Sequence, residues 1–250
     1  MKKFYSEFTH NYKNYSFGYV NYCMYEKGDK LSEIYASGYL PYSGSFEVEN
    51  IFYMARSARV PLADFSLSSE NRRVARKFDG KFHRVVKPIK EFDIRDKDFL
   101  SFCVDYFAKR HGPKVMPLER LRVILDSGII SHIVSYQEEG RPVAYVFECS
   151  DKHMTHFWFS FYDLNLIRQS LGMWLMLDSV KFAKKREAEH LYVGTVYGEK
   201  ALYKTAFKNL EYWDGGSWVA DIKKLKALSR SDGERVVSVI DIWKKDLRVF

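Results

Sequence analysis

Three of the 18 tyrosines, one of the 7 histidines and two clusters of cations carry most of the chemical promise of this chain. Tyr162, Tyr192 and Tyr203 each offer a ring for stacking on a base and a hydroxyl for hydrogen bonding, although rings of this kind also fill cores. His111 closes an amphipathic run just ahead of Gly112-Pro113. There it either exchanges a proton near neutral pH or caps a helix as a cation. Asp163 ends a strand-like stretch, where a carboxylate holds an ammonium or a turn. Arg72, Arg73, Arg76 and Lys77 follow the capping serines Ser68-Ser69, and Lys200, Lys204 and Lys208 recur at helical spacing. Basic faces of this sort either grip phosphate oxygens or stay solvated.

These side chains need elements to hold them. Residues 1–65 read as largely irregular, with turn signals at Gly28-Asp29, Gly38 and Tyr42-Ser43-Gly44 and a short helix from Leu31 to Ser37. Strands are expected between Phe46 and Leu62, then a capped basic helix from Ser68 to Lys77 and a strand from Phe82 to Pro88. Phe99, Phe102, Cys103, Tyr106 and Phe107 recur at helical spacing within Asp96–His111, and Leu118–Asp126 reads as a further helix. Three strands follow, Ile129–Gln137, Pro142–Glu148 and Met154–Tyr162, the first two joined by a turn at Glu138-Glu139-Gly140-Arg141. A long helix over Gly172–Arg186, a strand over Leu191–Gly194, a helix over Ala201–Lys208 and a strand over Ser217–Ala220 complete the reading. This order predicts an α+β fold, a mainly antiparallel sheet with flanking helices. The expected division is an N-terminal region (1–89) carrying the basic helix, a main domain (90–220) and a C-terminal extension (221–250) with the basic run Lys223-Lys224-Leu225-Lys226.

Composition narrows the partners. A formal charge of +8 favours an anionic partner, because Lys and Arg release counterions from phosphates. The three cysteines, Cys23, Cys103 and Cys149, lie far apart, so neither a disulfide framework nor a zinc knuckle can be argued from them. The first 22 residues contain no apolar leader, and no run approaches the roughly 18 apolar residues of a bilayer span. A cytoplasmic location without a membrane partner is the expectation.

Taken in order, several motifs resemble the aminoacyl-tRNA–protein transferases, which attach arginine or leucine to proteins bearing an N-terminal Asp or Glu. The resemblance rests on Tyr162-Asp163, on Ser170-Leu171-Gly172 before a long helix, on Tyr192 and Gly194, and on Lys200, Tyr203, Lys204, Phe207 and Glu211. Upstream, Gly38, Ser43-Gly44-Ser45-Phe46, Arg59-Val60, Phe65, Ser68, Asn71-Arg72-Arg73, Tyr106 and Arg110-His111 also match. The series runs from about residue 20 to about 220 and is more specific than any one motif. The chain departs from the family in its cysteines, in Leu40-Pro41-Tyr42 where an arginine pair is expected, and in Asn71 where the family has Gln.

The resemblance implies a GNAT-like fold and transfer of Arg or Leu from charged tRNA to the amino terminus of an acceptor protein or peptide. It implies Asp163, Tyr162 and His111 as catalytic residues. Arg72, Arg73, Arg110, Ser170, Gly172, Tyr192, Lys200, Tyr203 and Lys204 would bind substrate or tRNA. Aminoacyl-tRNA is then a co-substrate, no metal site is expected, and an iron–sulfur cluster is not expected because its thiolate ligands are missing. One rival is an acyl-CoA-dependent N-acyltransferase of the same fold, disfavoured here by Trp174, which stands where a pyrophosphate would pass. A tRNA-binding relative without catalysis and the cell-wall peptide ligases that use aminoacyl-tRNA are the other readings.

Overall fold

The computed structural model describes residues 1–11, 16–43 and 50–232. Gly44 to Phe46 of the expected loop and residues 233–250 of the expected extension lie outside them. Two sheets organise the chain. The smaller is four-stranded and antiparallel, in the order β1 (Lys2–Asn11), β2 (Ser16–Met24), β4 (Ile51–Met54), β3 (Tyr39–Pro41). The larger has eight strands, β12 (Trp218–Val219), β11 (Glu211–Trp213), β5 (Ser57–Pro61), β10 (His190–Thr195), β9 (Met154–Tyr162), β8 (Arg141–Ser150), β7 (His132–Glu138) and β6 (His83–Pro88). Every pairing in it is antiparallel except β9 with β10, as the α+β reading requires.

Helices cover this sheet. α2 (Ser69–Phe78) opens on a capping box, Ser68 Oγ accepting from Asn71 N–H while Asn71 Oδ1 accepts from Ser68 N–H, each at 3.1 Å. Its buried face, Val74, Ala75 and Phe78, packs on α5 (Leu171–Lys185) in the same core as Leu175, Val180 and Leu191. α3 (Lys97–His111) is capped by Asp96, stops at Gly112, and packs with α4 (Leu118–Asp126) through a second core of Phe99, Cys103, Leu121, Ile124, Phe147 and Phe161. Between the two sheets, α1 (Leu31–Ala36) contributes Ile34 and Tyr35 to a third core with Phe52, Cys149 and Tyr192. The β7–β8 turn places Glu139 and Gly140 at φ 50° and 79°, a conformation that suits a two-residue hairpin.

The structure corrects the sequence reading in two places and adds to it in two. Lys2–Asn11 and Ser16–Met24, read as irregular, pair as the antiparallel strands β1 and β2. The stretch read as a helix over Ala201–Lys208 is a 3-10 segment, Glu199–Ala206, so Lys200, Lys204 and Lys208 share no basic face: Lys200 and Lys208 are exposed, whereas Lys204 turns inward. α6 (Ile222–Ser231) buries Leu225 and Ser229 against this segment and takes up the run Lys223–Lys226. The eight-stranded sheet also draws β5 and β6 from the stretch before residue 90.

Candidate functional site

β9 and β10 lie side by side for only three residue pairs, the last being Tyr192 with His156. Beyond it β9 stays with β8 as far as Tyr162, whereas β10 slips register against β5 and turns away through Gly194 at φ +80°. The sheet therefore opens at this end. α5 starts at the opening, after Ser170 in the left-handed region at φ +72°. Ser170 makes no side-chain cap but its C=O accepts from Met173 and Trp174 N–H at 3.1 Å, so in the first turn of α5 only Leu171 and Gly172 keep N–H groups without a backbone acceptor among the described residues.

Tyr162 closes over that turn. A Cβ on Gly172 would lie 2.9 Å from the Tyr162 hydroxyl and 3.0 Å from its ring, so a residue without a side chain is required there. The Tyr106 ring, from α3, lies 4.8 Å from that of Tyr162. Burial pushes the Tyr106 hydroxyl well above the ordinary tyrosine range, and the neighbouring Tyr162 hydroxyl adds to the shift. Tyr203 stands at the rim, half exposed, and interacts with Tyr162 and Arg110. His111 packs on Phe107 at 5.0 Å and on Tyr106 at 6.2 Å. Its imidazolium is disfavoured first by burial, then by the charges of Arg110 and Lys200. His111 is itself exposed, and the downward shift favours its free imidazole, a proton acceptor, over the cation that a helix cap would favour.

The structure thus brings together Tyr162, Tyr203, His111, Arg110, Lys200, Ser170 and Gly172. It adds Tyr106, which the sequence tied to Arg110-His111 only as a motif. Asp163 lies beside Tyr162 and caps a 3-10 turn, one oxygen accepting from Asn165 N–H at 2.9 Å and the other without a partner among the described residues. Tyr192 does not join the group. It is buried among Tyr35, at 4.9 Å, and Trp218, at 5.6 Å, with burial raising its hydroxyl to about 12. Glu211 anchors the sheet through Arg59, 2.7 Å away. Arg72 and Arg73 sit on α2 outside the group; Arg72 donates to Leu67 C=O at 2.8 Å, and Arg73 meets the exposed Glu70 with both arms.

Lys204 and His156 flank the bend in β10. A Cβ on Gly194 would lie 3.5 Å from Lys204 Nζ and 3.7 Å from His156 Nε2, with no other heavy atom from beyond the adjoining residues within 4 Å. Lys204 donates to Thr195 C=O at 2.7 Å, has no carboxylate partner among the described residues, and is pushed down to about 8 by burial. His156 is 1% exposed and held neutral, pushed down to about 3 by burial and then by Lys204. Its Nδ1 lies 2.9 Å from the Tyr35 hydroxyl, and its Nε2 has no partner. Sequence reasoning missed His156, whose only signal is a histidine inside an otherwise apolar strand.

Trp174 is a correction. It is 4% exposed, donates to Asp79 Oδ1 at 2.9 Å and packs against Phe78, Phe82 and Tyr136, facing α2 and the sheet. Obstruction of a pyrophosphate by Trp174 is therefore withdrawn; the side chain over the start of α5 is Tyr162.

Gly172→Ala separates this packing from stability. Alanine favours a helix by about 1 kcal/mol over glycine, yet the new Cβ must displace the Tyr162 ring. The variant is expected to melt within a few degrees of the parent while turnover falls about tenfold or more. A turnover equal to the parent's would show that the position of Tyr162 is irrelevant.

Comparison with known proteins agrees with this geometry. The chain is 27% identical over 177 residues to the Aspartate/glutamate leucyltransferase of Cereibacter sphaeroides, a match covering 66% of this chain and 61% of that protein. It is 30% identical over 176 residues to the protein of the same name in Phenylobacterium zucineum, covering 65% and 66%. A third of that name, from Dinoroseobacter shibae, is 40% identical over 62 residues, covering 24% of this chain and 22% of the relative. The resemblance seen in the motifs is thus borne out, over about three fifths of the first relative's length. Residues 71–208, more than half of the 250, match the model of the Acetyltransferase (GNAT) domain, and with a mainly antiparallel sheet that opens between β9 and β10 the chain belongs to that family.

Proposed function

We propose that this protein transfers an aminoacyl group, leucyl in first place, from charged tRNA to the amino terminus of an acceptor that begins with Asp or Glu. The observation that carries the reading is the meeting of Tyr106, Tyr162, Tyr203, Arg110 and His111 at the start of α5, where the sheet opens. The similarity to leucyltransferases supports the choice of aminoacyl group and acceptor. In this reaction a neutral amine attacks the ester carbonyl, the C–N bond forms, the ester C–O bond breaks, and the tRNA hydroxyl leaves with a proton. The ester supplies the driving force, so alignment and oxyanion donors matter most. Tyr162 offers a hydroxyl to the carbonyl oxygen, neutral His111 accepts the amine's proton, and the free oxygen of Asp163 faces the incoming ammonium.

The acidic side of this account is testable by pH. Because His111 is held below the ordinary histidine range, the base is available at pH 7, and turnover should fall as pH drops through its lowered pKa. His111→Gln should flatten that acidic limb; a limb unchanged in the variant would remove His111 from the reaction.

Charged tRNA binding is expected to weaken steeply with salt. If Arg72 and Arg73 release their local partners to grip phosphates, Arg72→Ala and Arg73→Ala will flatten the salt slope by about one unit for each phosphate no longer gripped, with unchanged melting. Equal binding by the double variant at every salt concentration would make α2 a solvated face. Acyl-CoA remains the rival donor, with the start of α5 as its phosphate site and the Tyr162 ring over Gly172 as the obstacle.

A further inference from the structure

The bend of β10 encloses a feature that the transfer chemistry above leaves unused. A Cβ on Gly194 would stand in ordinary contact with two nitrogen atoms, Lys204 Nζ and His156 Nε2, so about one side-chain atom fits between them. His156 is 1% exposed, whereas Gly194 and Lys204 are only part-buried. Lys204 spends one of its three N–H donors on Thr195 C=O and keeps two. A part-buried ammonium with no acidic neighbour among the described residues, next to an orphaned ring nitrogen, is an unfavourable arrangement that a bound anion would relieve.

We infer that Lys204 and His156 form a carboxylate pocket that receives the acidic side chain at the amino terminus of the acceptor. The inference rests on the aminoacyl-transfer reading for the identity of that acceptor. Two donors converge on one space, and one of them is charged, which selects a carboxylate over its uncharged amide. Tyr35 is the positioning residue. Its hydroxyl lies 2.9 Å from His156 Nδ1, and in the tautomer the pocket requires it donates there, which leaves the hydrogen on Nε2. The bend at Gly194 keeps side chains out of the pocket, and at φ +80° any other residue is strained. Specificity arises because an acceptor starting with Asn leaves the Lys204 charge uncompensated, while one starting with Asp or Glu neutralises it.

The test is calorimetric titration of the full chain with short peptides that differ only in their first residue, Asp, Glu, Asn or Ala, run beside leucyl transfer to the same peptides. The parent should bind the Asp and Glu peptides about tenfold or more tightly than the Asn peptide, the size expected of a charge-assisted hydrogen bond. Lys204→Met should erase that preference while still binding the Asn peptide, and Tyr35→Phe should reduce it in part. Equal affinity of the parent for Asp and Asn peptides overturns the pocket without any variant being needed. So does a preference that Lys204→Met retains. Transfer that occurs with these results leaves the aminoacyl reading standing and removes only the pocket. A Lys204-dependent acid preference in a protein that transfers nothing upholds the pocket and removes the transfer reading. Absence of binding by every peptide overturns the pocket as well.

Discussion

Lys204→Met is expected to melt at a higher temperature than the parent at pH 7. The Lys204 ammonium is pushed down to about 8 by burial, from 10.5 in an exposed lysine. Between these values the unfolded chain binds more protons than the folded one, so stability rises with pH across the window and the full cost is felt below pH 8. A shift of this size corresponds to at most roughly 3 kcal/mol. Losing the bond to Thr195 C=O returns about 1 kcal/mol of it, so a gain of about 1–2 kcal/mol is expected at pH 7. The gain should shrink as pH rises from 8 towards 10.5, because the parent then discharges its own lysine. Thermal melts of both proteins over that range check it. A variant that melts lower at pH 7, with a pH-independent difference, would mean that the ammonium is well solvated or paired. A side chain that lowers stability where it stands, and that a bland residue improves, fits retention for binding rather than for folding.

Gly38→Ala is expected to destabilise the protein by about 3 kcal/mol. Gly38 has φ +83°, and a Cβ there would lie 2.4 Å from three atoms of the Trp213 ring. Trp213 belongs to β11 and packs edge-on against Trp218, whose Nε1–H donates to Ala36 C=O at 2.8 Å. Gly38 therefore sits where the turn after α1 meets the eight-stranded sheet, and neither side yields easily. Left-handed strain adds about 1 kcal/mol to the overpacking. For a chain of 250 residues this amounts to a melting temperature lower by about 6–12 °C. Trp213→Leu in the Gly38→Ala background should recover part of the loss by making room. A single variant that melts like the parent would contradict this packing.

Where an element declared itself by a cap, a stop or a turn, the sequence reading placed it well. Ser68 with Asn71 marks the start of α2, Asp96 and Gly112 bracket α3, and Glu139-Gly140 fixes the β7–β8 hairpin. These signals are local, and local physics suffices to read them. The pairing of β1 with β2 was not legible because the two strands mix aromatic with charged and polar residues and leave Tyr5 and Tyr19 exposed, so no clean apolar period marks them. α6 buries only Leu225 and Ser229, a faint signal amid lysines.

The site divides along the same line. Tyr162, Tyr203, Arg110, His111 and Lys200 were readable as an ordered set of motifs, and the parting of β9 from β10 explains why they meet. Tyr192 was grouped with them by residue type, but alternation along β10 turns it into the core between the sheets. Lys204 was read as one cation of a helical face. The tighter 3-10 winding changes which residues share a side, and Lys204 points inward at Thr195. His156 gave no motif at all. Its significance comes from an unpartnered nitrogen in a buried place, which only the folded chain reveals.

The central claim, aminoacyl transfer to an acidic amino terminus, is tested most directly by mass spectrometry of a peptide beginning with Asp. The peptide is incubated with this protein and leucyl-tRNA in one tube and with this protein and acetyl-CoA in another. The account predicts a leucyl adduct on the α-amine in the first tube, less of it by about tenfold or more when the peptide begins with Asn, and no acetyl adduct in the second. An acetylated peptide with no leucyl product would contradict it, and would assign the opening between β9 and β10 to an acyl-CoA donor instead.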